Sequence, residues 1–504
     1  MLLLFWVVIF LADSVIAYNS AQPLGQFQFY PALQFLFSLG KIGPGLITIL
    51  LFTLLWGRVY CSSLCPLGTL QDAVIGLSKK AKLLQFHSQK NYRLLRYGIL
   101  LLASLTIALG TLLLIQLLEP FSLFGKFMGT VLAPLLYWFS LGVEAMGLGQ
   151  INPGTFHPVP LIFFLLFLGI GLILAVFTWK KGRLFCNTLC PVGALLGSCS
   201  RASFYQLDLQ QETCIDCKKC EGVCKAGCID LESKSIDNER CVRCFNCLEI
   251  CPVNAIDWRK GRKKSKRLKE KPDVKEEPDQ SRKSFLRTLG QLGLAATALL
   301  LPLKHFGIQR GRLKKQWRTL PILPPGTKDT RHFGDNCISC HLCVSHCPTQ
   351  VLQPQWGLSF EKGLFQPALD YTKSYCEYKC HTCSQVCPTQ AITKVSLKEK
   401  QQIQLGRARL IKEYCLVYAN DQACGACAEH CPTIAVKMEP YKGALWGPVT
   451  QDHFCIGCGH CEFVCPALPW KAIYIEPFAV HTRSQLPETG EIKKDKQGTR
   501  DFPF

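Results

Sequence analysis

The chain has 504 residues, 48% of them hydrophobic, with 30 cysteines and a formal net charge of +21. The length accommodates several domains, and so apolar a chain with so many cysteines is not an ordinary soluble enzyme. Of the cysteines, 28 fall into short runs, a spacing that suits metal centres better than a disulfide scaffold, which is usually small and loop-rich.

In chain order, four segments are apolar enough to be expected to span a bilayer: 1–18, 42–58, 97–118 and 159–179. The first also has the length of a secretory signal, but it lacks a basic start and further apolar segments follow, so it reads as an anchor. The basic residues cluster at Lys79–Arg96, at Lys180, Lys181 and Arg183, and at 259–269, where eight of eleven are Lys or Arg. Basic flanks beside apolar segments mark the cytoplasmic side of a membrane rather than a nucleic-acid surface. If 127–147, a fifth apolar stretch, also crossed, one basic flank would be forced outside, so it is placed in the outer connection.

The expected fold class is mixed: a polytopic α-helical membrane domain over 1–204, then three ferredoxin-like two-cluster modules with small α+β elements. Residues 205–258 form the first module, on the cytoplasmic side. A basic and polar linker follows over 259–288, then 289–304 as a further short anchor, then a four-cluster domain over 330–478.

Three cysteine runs have the full form C-x2-C-x2-C-x3-C-P: Cys241, Cys244, Cys247, Cys251; Cys337, Cys340, Cys343, Cys347; and Cys455, Cys458, Cys461, Cys465. A fourth, Cys214, Cys217, Cys220, Cys224, has Lys225 in place of proline. Two more are stretched at the first gap: Cys376, Cys380, Cys383, Cys387 and Cys415, Cys424, Cys427, Cys431. Three thiolates on a tight loop hold three corners of an iron–sulfur cube, and the fourth cysteine leaves to ligate the neighbouring cluster. The runs therefore pair into six 4Fe-4S sites: Cys214, Cys217, Cys220 with Cys251; Cys241, Cys244, Cys247 with Cys224; Cys337, Cys340, Cys343 with Cys387; Cys376, Cys380, Cys383 with Cys347; Cys415, Cys424, Cys427 with Cys465; and Cys455, Cys458, Cys461 with Cys431. Zinc is the competing reading of four cysteines, but its sites usually come as separated pairs. Cys228 and Cys199 fall outside the scheme and read as small packing residues.

A separate repeat lies at the cytoplasmic membrane edge. Gly57-Arg58-Val59-Tyr60-Cys61-Ser62-Ser63-Leu64-Cys65-Pro66-Leu67-Gly68 recurs as Gly182-Arg183-Leu184-Phe185-Cys186-Asn187-Thr188-Leu189-Cys190-Pro191-Val192-Gly193. On a continuing helix each cysteine pair would be i and i+4 on one face. Cys61, Cys65, Cys186 and Cys190 are open to three readings: one further metal centre, a redox-active thiol site that acts catalytically, or packing. Glu119 and His157 are candidates for a quinol site near the outer face. No c-type haem signature, phosphate loop, dinucleotide fingerprint or carboxylate pair marks another chemistry.

With these motifs, the first 260 residues resemble the NapH family: four membrane segments, two C-x3-C-P motifs and a cytoplasmic two-cluster unit. Residues 281–478 resemble the NapG family and the related MauM ferredoxin-type proteins. Ser281-Arg282-Lys283-Ser284-Phe285-Leu286-Arg287 stands where a twin-arginine export signal would, with lysine for the second arginine. The resemblance implies a quinol dehydrogenase component of the cytoplasmic membrane. It would take electrons from the quinol pool to a periplasmic reductase or c-type cytochrome, with the four-cluster domain periplasmic. The competing functions are an assembly factor for a respiratory complex and a membrane-tethered redox sensor.

Overall fold

A computed structural model describes residues 2–11, 25, 27–39, 44–80, 86–146, 160–260, 318, 320–355 and 364–485. The expected anchor at 289–304, the export-signal segment, His157 and nearly all of the linker lie outside these residues.

The first part of the chain is helical: Leu2–Leu11, Phe29–Leu39, Pro44–Trp56, Arg93–Ala108, Pro120–Ala145 and Leu161–Lys181 are its main apolar helices. Two of them, Pro120–Ala145 and Leu161–Lys181, are long and apolar enough to cross a bilayer. Within the described residues the other expected spans hold helices of 10, 13 and 16 residues, below the roughly 20 that a span takes. Large apolar side chains stand exposed around the bundle, among them Leu51 and Phe52, Leu101 and Leu105, Phe139, Leu172 and Val176. An apolar belt of this extent is a surface for lipid or protein rather than for water.

The stretch 127–147, expected as a partly buried or interfacial segment within the outer connection, falls for the most part in the 26-residue Pro120–Ala145 helix, which carries a π-turn at Met128–Leu132 and is long and apolar enough to cross. Its Phe127 ring lies against Gly171 and its Trp138 ring 5.9 Å from Phe164. Phe164 sits near the start of Leu161–Lys181 and Gly171 at its middle.

The cysteine-rich modules are built from short helices and two-stranded antiparallel ribbons. Tyr205–Leu209 pairs with Ile256–Lys260 in the first module. In the later part, Leu352–Pro354 pairs with Pro367–Leu369, Ile403–Leu410 with Ile473–Arg483, and Val436–Lys442 with Leu445–Thr450. The interior of each module packs its cysteines against apolar side chains: Leu207, Ile229 and Ile256 in the first, Ile338, Leu352 and Ile392 in the second, Leu405, Val436 and Ile473 in the third.

The modules dock at opposite ends of Leu161–Lys181, a helix about 31 Å long at 1.5 Å per residue. At its C-terminal end, Arg183 donates its backbone N–H to Lys225 (2.8 Å), and Phe204 donates to Leu54 (2.7 Å). The buried Arg96 pairs with Glu239, which also accepts from the Tyr97 hydroxyl. Removing one partner of such a pair would strand a charge, so the first module is firmly seated here. At the N-terminal end, Phe163 and Phe167 pack on Phe365, with ring centroids 5.8 and 5.2 Å away. Gln116 donates to the Cys337 carbonyl (2.9 Å), Ser122 to the Ile338 carbonyl (2.7 Å) and Gln34 to Asn336 (2.7 Å). The second module is thereby fixed to the other end of the bundle.

Candidate iron–sulfur centres

The backbone of the cysteine loops repeats. In four runs the residues two and four places after the first cysteine are left-handed: Asp216 and Lys218, Arg243 and Phe245, Ser339 and His341, Gly457 and Gly459. That conformation is costly outside glycine, and its recurrence at matched positions wraps the loop around a point. The two stretched runs follow another path; His381 and Gly425 have φ of −138° and −125°.

A second repeat follows the fourth cysteine. Gly227, Asn254, Gln350, Gln390 and Ile434 stand three places after it, all left-handed. The turn sends backbone N–H groups back to sulfur: Ala255 donates to Cys251 (3.2 Å), Ala435 to Cys431 (3.2 Å) and Ile392 to Cys387 (3.4 Å). Donors aimed at sulfur are what an anionic thiolate cluster needs.

The thiols gather across the runs. Cys220 lies among Cys217, Cys214 and Cys251, and Cys247 among Cys241, Cys224 and Cys244. Cys343 lies among Cys337, Cys340 and Cys387, and Cys383 among Cys376, Cys347 and Cys380. Cys427 has Cys424, Cys465 and Cys415 around it, and Cys461 has Cys455, Cys458 and Cys431. Two of these groups line pockets, one bounded by Cys347, Cys376, Cys380 and Cys383 and the other by Cys431, Cys455, Cys458 and Cys461.

Burial, and then the neighbouring thiols, push Cys427 up to about 12, and burial likewise raises Cys337 to about 12. Four such groups become thiolates together only around a strong positive centre. The donor set, the inward N–H groups and the pockets fit a polynuclear cluster.

The groups form a series. Cys343 is close enough to Cys383, Cys458 to Cys376 and Cys461 to Cys427 for their charges to act on one another. The Cys376 backbone N–H donates to the Cys458 carbonyl (2.9 Å). At the other end of the bundle, Arg58 is close enough to influence Cys241.

The two membrane-edge motifs also converge. Burial, then Cys186, Cys61 and Cys190, raise the Cys65 thiol. The segments do not stay helical into the motifs. Gly57 and Gly182 have φ of +81° and +60°, which ends each long helix before its motif. The cysteines then lie on short helices, Val59–Ser63 and Leu184–Thr188, and on the turns after them. The second cysteine of each pair accepts from its own motif's glycine, Cys190 from the Gly193 N–H at 3.2 Å and Cys65 from that of Gly68.

Cys228 is more than packing. Its sulfur lies 3.6 Å from that of Cys224, and its hydrogen bond is the largest influence on Cys241, which falls to about 6. It is placed to donate to two thiols of one group, which no spacing rule announces. A hydrogen bond to cluster sulfur raises the reduction potential. Cys228→Ala is expected to lower the potential of that centre alone by about 40–60 mV, the equivalent of about 1 kcal/mol, in an electron paramagnetic resonance titration.

Glu119 is fully buried, not solvated. It caps the Pro120–Phe127 helix through the Ser122 N–H, and its Oε1 has no hydrogen-bond partner. Lys126 is buried nearby and lies 5.4 Å from the Phe365 ring.

These modules define an iron–sulfur electron-transfer protein of the 4Fe-4S class. The chain belongs to the ferredoxin-type protein family of NapG. It is 32% identical to ferredoxin-type protein NapG of Haemophilus influenzae over 229 residues, 43% of this chain and 78% of that one. It is also similar to ferredoxin-type protein NapF of Escherichia coli, at 27% identity over 33% of this chain and 94% of that one. The methylamine utilization ferredoxin-type protein MauM of Methylophilus methylotrophus matches at 29%, over 38% of this chain and 83% of its own. The 4Fe-4S dicluster domain family matches residues 336–391, and a 4Fe-4S binding domain family matches 234–257. Another 4Fe-4S binding domain family matches 45–84 and 156–202, the segments that hold the C-x3-C-P motifs.

Proposed function

We propose that the chain carries electrons through a membrane, from quinol to an acceptor beyond the outer face such as a c-type cytochrome or a reductase. The observation that carries this reading is the series of thiol groups attached to both ends of a spanning-length helix. Each of the six groups would hold one 4Fe-4S cluster through the cysteines named above, and the clusters would supply one-electron chemistry. The protein's own part is to bury the centres, aim N–H donors at their sulfurs and hold them in order.

In this reading the first module would face the cytoplasm, on the side of the basic flanks, and the Cys337–Cys465 modules the opposite side. The NapH-like half would then be a multi-pass membrane domain of the cytoplasmic membrane, and the NapG-like half would face the periplasm. Its short helices would need flanking residues or local thinning of the bilayer to cross.

Glu119 is the residue assigned to quinol. Its carboxylate lies in the apolar bundle beside the loop of Cys337 and Cys340, where a proton released on quinol oxidation needs an acceptor. Glu119→Gln is expected to slow cluster reduction by a water-soluble quinol analogue at least tenfold, with dithionite reduction unchanged. Equal quinol rates in the two proteins would contradict the assignment.

A further inference from the structure

We propose that Arg243 is the counter-charge of the centre held by Cys241, Cys244, Cys247 and Cys224, raising its midpoint potential and biasing the first module's electron toward the side that faces the helical bundle. The inference rests on the cluster assignment and not on the transmembrane route.

The position two places after the first cysteine is left-handed in four runs, and it holds Asp216, Arg243, Ser339 and Gly457. Gly takes that conformation freely, and Asp tolerates it because its short side chain can bond locally. Arginine has neither advantage, so its presence at φ +56° needs a reason beyond the turn. Arg243 is also among the largest fully buried side chains, 1% exposed. Its guanidinium fills the space between the ligand loop and the end of Pro44–Trp56, where a Cβ on Gly57 would come within 2.5 Å of Nε.

Among the described residues this charge has no carboxylate partner. One terminal nitrogen donates to Asn238 Oδ1 (2.7 Å), the other to Ser203 Oγ (3.2 Å) and the Tyr205 carbonyl (3.3 Å), and Nε has no acceptor. The two acids just before Cys241 are taken: Glu239 pairs with Arg96, and Asp237 with Arg240 at 2.8 Å. A buried guanidinium held only by neutral groups is unfavourable. The side chain springs from inside the ligand loop, between Cys241 and Cys244, so the thiols are what remains to balance it. Neutral thiols do not. Four thiolates around an iron–sulfur core carry net negative charge, and one charge more on reduction.

The partner centre has no such device. At the matched position Asp216 carries the opposite charge, half exposed and paired with Lys234 at 3.1 Å. Cys217 is exposed, whereas Cys241 and Cys247 are buried. A fixed charge acts more strongly where water is excluded, so Arg243 favours the extra electron on one centre of the module. That centre is the one against the bundle: Arg58 donates to the Glu239 carbonyl (3.2 Å) and Ser200 to the Asn238 carbonyl (3.0 Å), both just before Cys241. The transfer so biased is outer-sphere. One electron lost at the Cys214 group is gained at the Cys241 group, and no bond is made or broken.

The test is a redox titration read by electron paramagnetic resonance, with iron and sulfide content, on the anaerobic full-length protein. Cys244→Ala removes a ligand and identifies the signal of this centre by its loss; unchanged iron and signals would reject the cluster assignment and the inference with it. Arg243→Gln should keep the iron and shift that signal's midpoint down by a tenfold change in equilibrium, 59 mV for one electron, with the other midpoints in place. Arg243→Lys keeps the charge and should stay close to the parental midpoint. An unmoved midpoint in Arg243→Gln, or equal shifts in the two variants, would overturn the counter-charge and leave the cluster assignment standing. If Arg243→Gln loses the centre, an Arg243→Lys protein that keeps it near the parental midpoint supports the counter-charge. Loss in both would show that Arg243 only builds the loop through its hydrogen bonds, and would overturn it.

Discussion

Anaerobically purified protein is expected to carry about 24 iron and 24 sulfide atoms in its six ferredoxin-type centres, with about four more of each if the membrane-edge centre is present. The interleaving gives this count a sharper form. Cys387→Ala should remove the cluster held by Cys337, Cys340 and Cys343 rather than the one nearest it in sequence. About four irons should be lost, together with one resonance. The effect is large because Cys343 and Cys387 are buried and binding of the centre contributes folding free energy. Several equivalents of zinc with little sulfide would refute the cluster assignment.

The second large effect is topological. A tag inserted after Arg259 should be protected from protease in spheroplasts, and one after Phe478 should be digested. The reason lies in how the modules are fastened. Lys225 and Glu239 hold the first module to the end of the bundle that carries Lys180, Lys181 and Arg183. Gln116 and Ser122 hold the second to the end where Leu161–Lys181 begins. A helix of about 31 Å separates those ends. Protection of both tags would place all six clusters in the cytoplasm.

The cysteine groups were legible in the sequence because spacing is local: three thiols on seven residues can face one point, and the fourth cannot. What was not legible depended on distant partners. Gly57 and Gly182 look like ordinary small residues until their positive φ is seen to end the helices. Arg58 is only one position of a repeated motif in the sequence, yet it is buried between two motifs 125 positions apart. Cys228 matches an alanine position in its partner run and still reaches two thiols. The charge argument over 127–147 concerned crossing and carried no information on helix length, so it did not reveal the 26-residue helix. Glu119 sits at the end of an apolar run and gives no local sign of being covered by a cysteine module from more than 200 residues later.

Electron transfer across a sealed bilayer tests the central claim most directly. Full-length protein would be reconstituted into proteoliposomes with ferricyanide trapped inside, dithionite added outside, and the loss of ferricyanide absorbance followed. The account predicts protein-dependent bleaching of the trapped oxidant. Clusters fully reduced by external dithionite, with the trapped ferricyanide untouched in sealed vesicles, would contradict it.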